Sequence, residues 1–198
     1  MKNNNSRKLI LSMQMSFDGI VAADDDVPEG RDDVSVETVD YTELWEHMFN
    51  DLQSVDTVMV GRNMYPGYSD YWRSQLNNAK GDPNEVKYAK WANQVPHIVI
   101  SKTLQSVDWE NTRIARDPDA EIASLKQQPG KDIIVWGGAN FAGYLISKRL
   151  VDEFRITLTP NIAGKGKDLF ANVHDRHKLT LIDTRPLKSG LVILRYKA

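Results

Sequence analysis

The sequence has no cysteine among its 198 residues. That excludes disulfides, a thiolate nucleophile and any cysteine-held metal. It also lacks a charge excess of either sign: 25 Lys and Arg stand against 27 Asp and Glu, a formal net charge of −2. Nucleic acid is therefore not an expected partner, since a general nucleic-acid face needs surplus Lys and Arg. No apolar run approaches the ~20 residues that cross a bilayer, so no membrane partner is expected either. The opening "MKNNNSRKL" is polar and lacks the apolar stretch of a signal peptide, which fits a cytoplasmic location. The four histidines, His47, His97, His174 and His177, show no ligand spacing, and no metal is expected. What remains is an ordinary globular balance, 41% hydrophobic and 26% charged, in a length that suits a single domain over 1–198.

Along the chain, strands and helices alternate. "KLILSMQM" reads as a first strand that "SFDGIVA" continues through a break at Gly19. The acidic stretch Asp24–Asp40 reads as a solvated surface loop. Asp40–Leu52 is the clearest helix: Tyr41, Leu44, Trp45, Met48, Phe49 and Leu52 form one apolar stripe, and Asp40 with Glu43 has the form of a capping box. "DTVMVG" is a strand, and "RNMYPGYSDYW" leaves it with mixed aromatic and turn signals. Further on come a helix at "PNEVKYAKWA", a strand at "HIVIS", a loop with one or two edge strands over 102–115 and a short helix at "DAEIASLKQQPG". "KDIIVW" is a strand, "FAGYLISKRL" a helix and "DEFRITLTP" a strand; "KLTLIDTRPL" and "GLVILRYKA" close the chain as an antiparallel hairpin. The pattern predicts an α/β fold in three layers, with a mixed, mostly parallel sheet and a C-terminal antiparallel hairpin.

Three strand ends carry groups suited to phosphate. In "IIVWGGANF", Gly137 and Gly138 stand between a strand and a helix, where a backbone without Cβ atoms lets an anion approach the helix N-terminus. A tight turn that needs positive φ or close helix–sheet packing explains the same pair. "VMVGRN" sets Arg62 directly after the strand-terminal Gly61, and "IVISKT" sets Ser101, Lys102 and Thr103 after another strand. Each is by itself an ordinary solvated group; together they suggest a dinucleotide bearing one extra phosphate.

The ordered blocks "MSFDGIVA", "TVMVGRNMY", "HIVISKTL" and "IIVWGGANFAGYLISKRLVDEFRITLTPNIAGKGKDLF" resemble the dihydrofolate reductase-like superfamily. More narrowly, the chain resembles stand-alone proteins related to the reductase domain of the bifunctional riboflavin-pathway deaminase-reductase, over Arg7–Tyr196. The resemblance implies an NADPH site. Gly137, Gly138 and Ala139 would lie on the pyrophosphate, with Asn140 and Phe141 opening the helix. Gly61, Arg62 and Asn63 would meet the adenosine ribose and its 2′-phosphate, joined by Ser101, Lys102 and the basic Arg116. Ala22 would border the nicotinamide.

On the substrate side the chain departs from both relatives. Ile20 and Trp136 stand where the riboflavin-pathway reductase has a lysine after "DG" and an acid before the paired glycines. Two carboxylates are candidates for contacting substrate or supporting protonation. Asp18 has a turn-residue explanation, and Glu43 has its capping box. Asp70 is a further candidate, and Trp72, Trp91, Trp109 and Trp136 either stack a flat substrate or pack in the interior. Two functions stay open: an NADPH-dependent oxidoreductase acting on a small pterin- or pyrimidine-like heterocycle, or an NADP(H)- or small-ligand-binding protein without turnover. In either case a homodimer is expected, with a small molecule as the other partner.

Overall fold

The computed structural model describes residues 6–22 and 39–198. Most of the acidic 24–40 segment lies outside the described residues. Eight strands form one sheet: β1 (Leu9–Met15), β3 (Val55–Gly61), β4 (His97–Ile100), β5 (Thr112–Ala115), β6 (Asp132–Val135), β7 (Glu153–Leu158), β9 (Thr180–Pro186) and β10 (Val192–Lys197). Their order is β5-β4-β3-β6-β1-β7-β10-β9, and β2 (Ile20–Ala22) pairs separately with β8 (Lys167–Asp168). The sheet is mixed and mostly parallel, as the alternation of elements predicts, and the C-terminal hairpin forms its antiparallel part. The chain divides into two compact units.

Among the described residues the first unit comprises 6–7 and 45–134. Val58, Met59 and Val60 of β3 are fully buried, the continuous apolar run expected of a central parallel strand. Helices α3 (Pro83–Ala92) and α4 (Pro118–Gln127) both start on an Asp-Pro pair. Asp82 accepts a bond from the Asn84 N–H, and Asp117 accepts from those of Asp119 and Ala120, while each proline supplies the first-turn φ. Helix α2 (Tyr65–Gln75) departs from the turn reading of "RNMYPGYSDYW". Pro66 occupies its first turn, where no N–H is needed, and Tyr65, Tyr68 and Ser69 are buried at i, i+3 and i+4.

Helices α2 and α3 share an aromatic cluster. Trp72 lies against Tyr88 at 4.3 Å between ring centroids, and Trp91 against Tyr88 at 5.4 Å. His97 stacks on the buried Trp109 at 4.4 Å. Tryptophans 72, 91 and 109 are thus packing residues, not the substrate stack the sequence left open. The Tyr68 hydroxyl meets Tyr88 Oη at 2.7 Å and His97 Nε2 at 3.3 Å, and His97 Nδ1 bonds to the Val95 carbonyl. Burial holds the His97 pKa down at about 4, against the pull of that carbonyl.

Among the described residues the second unit comprises 8–22, 39–44 and 135–198. Strands β1 and β7 run parallel, with Ile10 opposite Glu153 and Met15 opposite Leu158. Strand β10 is antiparallel to β7, and β9 to β10. Leu9, Ile10 and Leu11 of β1 are fully buried with Leu145 of α5 (Ala139–Ser147). A second cluster of Leu187, Leu191 and Ile193 takes Val39, Tyr41 and Leu44 against it. The last two stand at the start of helix α1 (Thr42–Leu52), whose remaining turns belong to the first unit.

One buried ionic knot crosses this half-sheet. The Glu153 carboxylate, 2% exposed, accepts bonds from Arg155 Nε at 2.8 Å, Arg195 at 2.9 Å and Lys8 Nζ at 3.1 Å. Burial opposes its ionisation most strongly, yet the bonds from Arg155 and Arg195 outweigh it and hold its pKa at about 2.

Candidate functional site

In the first unit the sheet register lines up the phosphate candidates. Gly61 pairs with Ile100 and Ile100 with Ala115, so Arg62, Ser101 and Arg116 each follow the same row at the carboxyl ends of three parallel strands. Hydrogen bonds join them in two groups. Arg62 donates to Thr103 Oγ1 at 2.8 Å and to Asn63 Oδ1 at 3.1 Å. Arg116 donates to the Ser101 carbonyl at 2.8 Å. The Ser101 hydroxyl, buried, accepts from the Thr103 and Leu104 N–H groups and so shapes the turn that carries the exposed Lys102. Three cations from distant parts of the sequence thereby share one rim, with Ser101 as the turn former. Gly61 is buried at the strand end, and Met64 N–H bonds back to its carbonyl to begin the turn into α2.

In the second unit Gly137 and Gly138 have φ of +102° and +77°, values that L side chains rarely adopt. A Cβ on Gly137 would lie 2.5 Å from Met13 Sδ, so close packing against β1 also accounts for this glycine. Gly138 is the N-cap of α5 and offers no side chain to the helix start. The first intrahelical bond runs from Ala142 N–H to the Gly138 carbonyl, and Ala139, Asn140 and Phe141 supply the first-turn N–H groups. Asn140 is exposed and Phe141 half-buried. This opening suits an anion.

The two candidate carboxylates, Asp18 just past the end of β1 and Glu43 in the first turn of α1, have partners the sequence did not show. Asp18 Oδ1 accepts from the Ser16 hydroxyl at 2.6 Å and from Ala163 N–H at 2.9 Å, and Oδ2 from Gly164 N–H at 2.8 Å. These bonds, Ser16 first, lower its pKa to about 2. The carboxylate is thereby held ionised, and each of its oxygens already accepts from the 163–164 backbone, which gives Asp18 a structural part. Glu43 Oε2 accepts from Lys188 N–H at 3.0 Å, tying α1 to the β9–β10 turn. Among the described residues the expected capping box is replaced: Asp40 accepts from Thr42 N–H, and Glu43 reaches the hairpin instead. In the first unit Asp70 is exposed and paired with Arg73. Ala22 sits in β2 with its carbonyl beside Gly166, whose missing side chain lets the two segments touch. Met13 and the backbone N–H donors to Asp18 and Glu43 carry no local sequence signal, because each lies over a hundred residues from its partner. Among the described residues no cluster of His, Asp and Glu suited to a metal is present.

Sheet order, parallel strand ends and terminal hairpin define the dihydrofolate reductase-like class of α/β protein. Residues 7–193 match the model of the RibD C-terminal domain, and the chain belongs to that family. Within reach of it stands YyaP of Bacillus subtilis (strain 168), an uncharacterised protein 31% identical over 199 residues, covering 99% of this chain and 98% of YyaP. Two solved structures share the fold. Dihydrofolate reductase from Enterococcus faecalis, complexed with NADP(H), has a TM-score of 0.61 at 12% identity over 96% of this chain and 95% of that one. The Thermotoga maritima diaminohydroxyphosphoribosylaminopyrimidine deaminase/5-amino-6-(5-phosphoribosylamino)uracil reductase has a TM-score of 0.63 at 14% identity, over 97% of this chain and 56% of that one.

Proposed function

We propose that the chain is an NADPH-dependent reductase acting on a small pterin- or pyrimidine-like heterocycle. The observation that carries this is the register of β3, β4 and β5, which sets Arg62, Lys102 and Arg116 on one rim. Such a rim suits a phosphate monoester, and the 2′-phosphate is what separates NADPH from NADH. In the second unit, the Gly137-Gly138 opening of α5 suits the pyrophosphate, with Ala139, Asn140 and Phe141 offering N–H groups. The residues present therefore fit the cofactor, which when bound supplies the hydride. Asn63 and Ser101 adjoin the rim, Gly61 ends the strand before Arg62, and Ala22 is assigned to the border of the nicotinamide. The chain's own part is to bind and orient; the proton comes from water, since Asp18 is committed to Ala163 and Gly164.

The same commitments of Asp18 and Glu43 favour a second reading, an NADP(H)-binding protein without turnover. Absorbance at 340 nm decides between them, with dihydrofolate and 5-amino-6-(5-phosphoribosylamino)uracil as acceptors. Substrate-dependent loss of NADPH supports the reductase, and tight NADPH binding with no loss supports the binding protein. A homodimer would form through β9, exposed on both faces with Leu181 and Ile182 each 52% accessible. A second copy of the chain fits that edge, and light scattering at twice the monomer mass is the expected result.

A further inference from the structure

Segment 159–168 of the second unit is fastened at both ends. At its start Thr159 N–H bonds to the Met15 carbonyl, and Phe17 N–H to the Asn161 carbonyl at 2.9 Å. At its end Lys167 and Asp168 pair with β2, and Leu169 N–H bonds to the Gly19 carbonyl. Gly166 is pressed so near β2 that a Cβ there would lie 2.4 Å from the Ala22 carbonyl oxygen. Between these fastenings the tip, Ala163-Gly164, is held by Asp18, one carboxylate oxygen to each N–H. Phe17 and Ile162 flank these bonds, and at 75% and 74% exposure they are the most exposed large apolar side chains among the described residues.

We propose that Asp18 is a positioning residue that staples the 159–166 loop to the end of β1, and that Phe17 and Ile162, carried on the two backbone segments that staple joins, are the apolar rim receiving the substrate's flat ring. Three observations point to substrate as the occupant. Phe17 follows β1 and Ile162 follows β7, two adjacent parallel strands, so both stand at carboxyl ends, where ligands of open α/β sheets bind. Met13 of the same β1 touches Gly137, so the rim and the glycine turn belong to one end of this unit. The joined segments also carry the two most exposed large apolar side chains among the described residues, groups suited to a flat ring. The rim role rests on the reductase reading; the staple does not.

Asp18→Asn tests it, because the amide turns one acceptor into a donor facing an N–H. Hydrogen–deuterium exchange at Ala163 and Gly164 should quicken about tenfold or more, the loss expected for a charge-assisted bond. Trypsin cleavage after Lys165 should quicken with it. The KM for whichever of dihydrofolate or 5-amino-6-(5-phosphoribosylamino)uracil is reduced should rise while the NADPH dissociation constant stays fixed. Phe17→Ala and Ile162→Ala, at positions too exposed to harm folding, should raise that KM about tenfold. Unchanged exchange in Asp18→Asn overturns the staple, and unchanged KM in both alanine variants overturns the rim. If either alanine variant lowers a dimer to monomer mass instead, the pair serves a second copy of the chain and the rim assignment is wrong. Should neither acceptor be reduced, the reductase reading and the rim fail together, and exchange at Ala163 and Gly164 still decides the staple.

Discussion

Replacing Glu153 by glutamine should cost about 3 kcal/mol of stability at pH 7. The carboxylate is 2% exposed and takes bonds from Lys8, Arg155 and Arg195, so Glu153→Gln removes the negative charge around which three cations gather. Breaking a buried ion pair from one side costs about 3–5 kcal/mol. The titration of the group gives the same size: its pKa falls from an ordinary 4.5 to about 2, which corresponds to roughly 3 kcal/mol. The sign follows from the direction. Because the folded value lies below the unfolded one, the stabilisation is complete above the unfolded pKa and drains away as pH falls toward the folded one. The gap between wild type and Glu153→Gln in urea unfolding should therefore narrow by about 1.4 kcal/mol from pH 7 to pH 3.5. Other acids titrate in both proteins and cancel. A gap under about 1 kcal/mol at pH 7, or one that stays constant with pH, would refute the ionic-knot account.

Gly137→Ala should destabilise by about 1–2 kcal/mol from its φ of +102° alone, plus a clash with the Met13 thioether that Met13→Ala in the same chain relieves; a double-mutant cycle by urea midpoint measures both parts. His97, buried on Trp109 with its pKa near 4, must fold uncharged. The unfolded chain takes up its proton first, so stability should fall by about 2 kcal/mol from His97 between pH 7 and pH 5, and His97→Gln should flatten that slope.

Much of the fold is legible because local chemistry and tertiary packing agree. Asp82-Pro83 announces α3, and the apolar run of β3 announces a strand covered on both faces. Helix α2 was hidden because Pro66-Gly67 reads as a turn, yet Pro66 needs no N–H in a first turn and Gly67 has open space around it. Strand β8, two residues long, carries no periodicity to read. At the site, Arg62 and Ser101 could be named from their strand ends and Arg116 from the family resemblance, but their common row is a property of register. Gly137 admits both an anion's approach and a packed turn from sequence, and the structure supplies the packing partner, Met13. Asp18 is a candidate by its chemistry; besides the nearby Ser16 hydroxyl, the N–H groups that occupy it lie about 145 residues away and are visible only in three dimensions.

The central claim is that Arg62 and its neighbours select a 2′-phosphate, and calorimetric titration of wild type and Arg62→Ala with NADPH and NADH tests it most directly. The expected result is NADPH bound about tenfold or more tightly than NADH by wild type, with that preference lost in Arg62→Ala and NADH affinity unchanged. Equal affinity for the two nucleotides in wild type, or a preference that survives in Arg62→Ala, would contradict it.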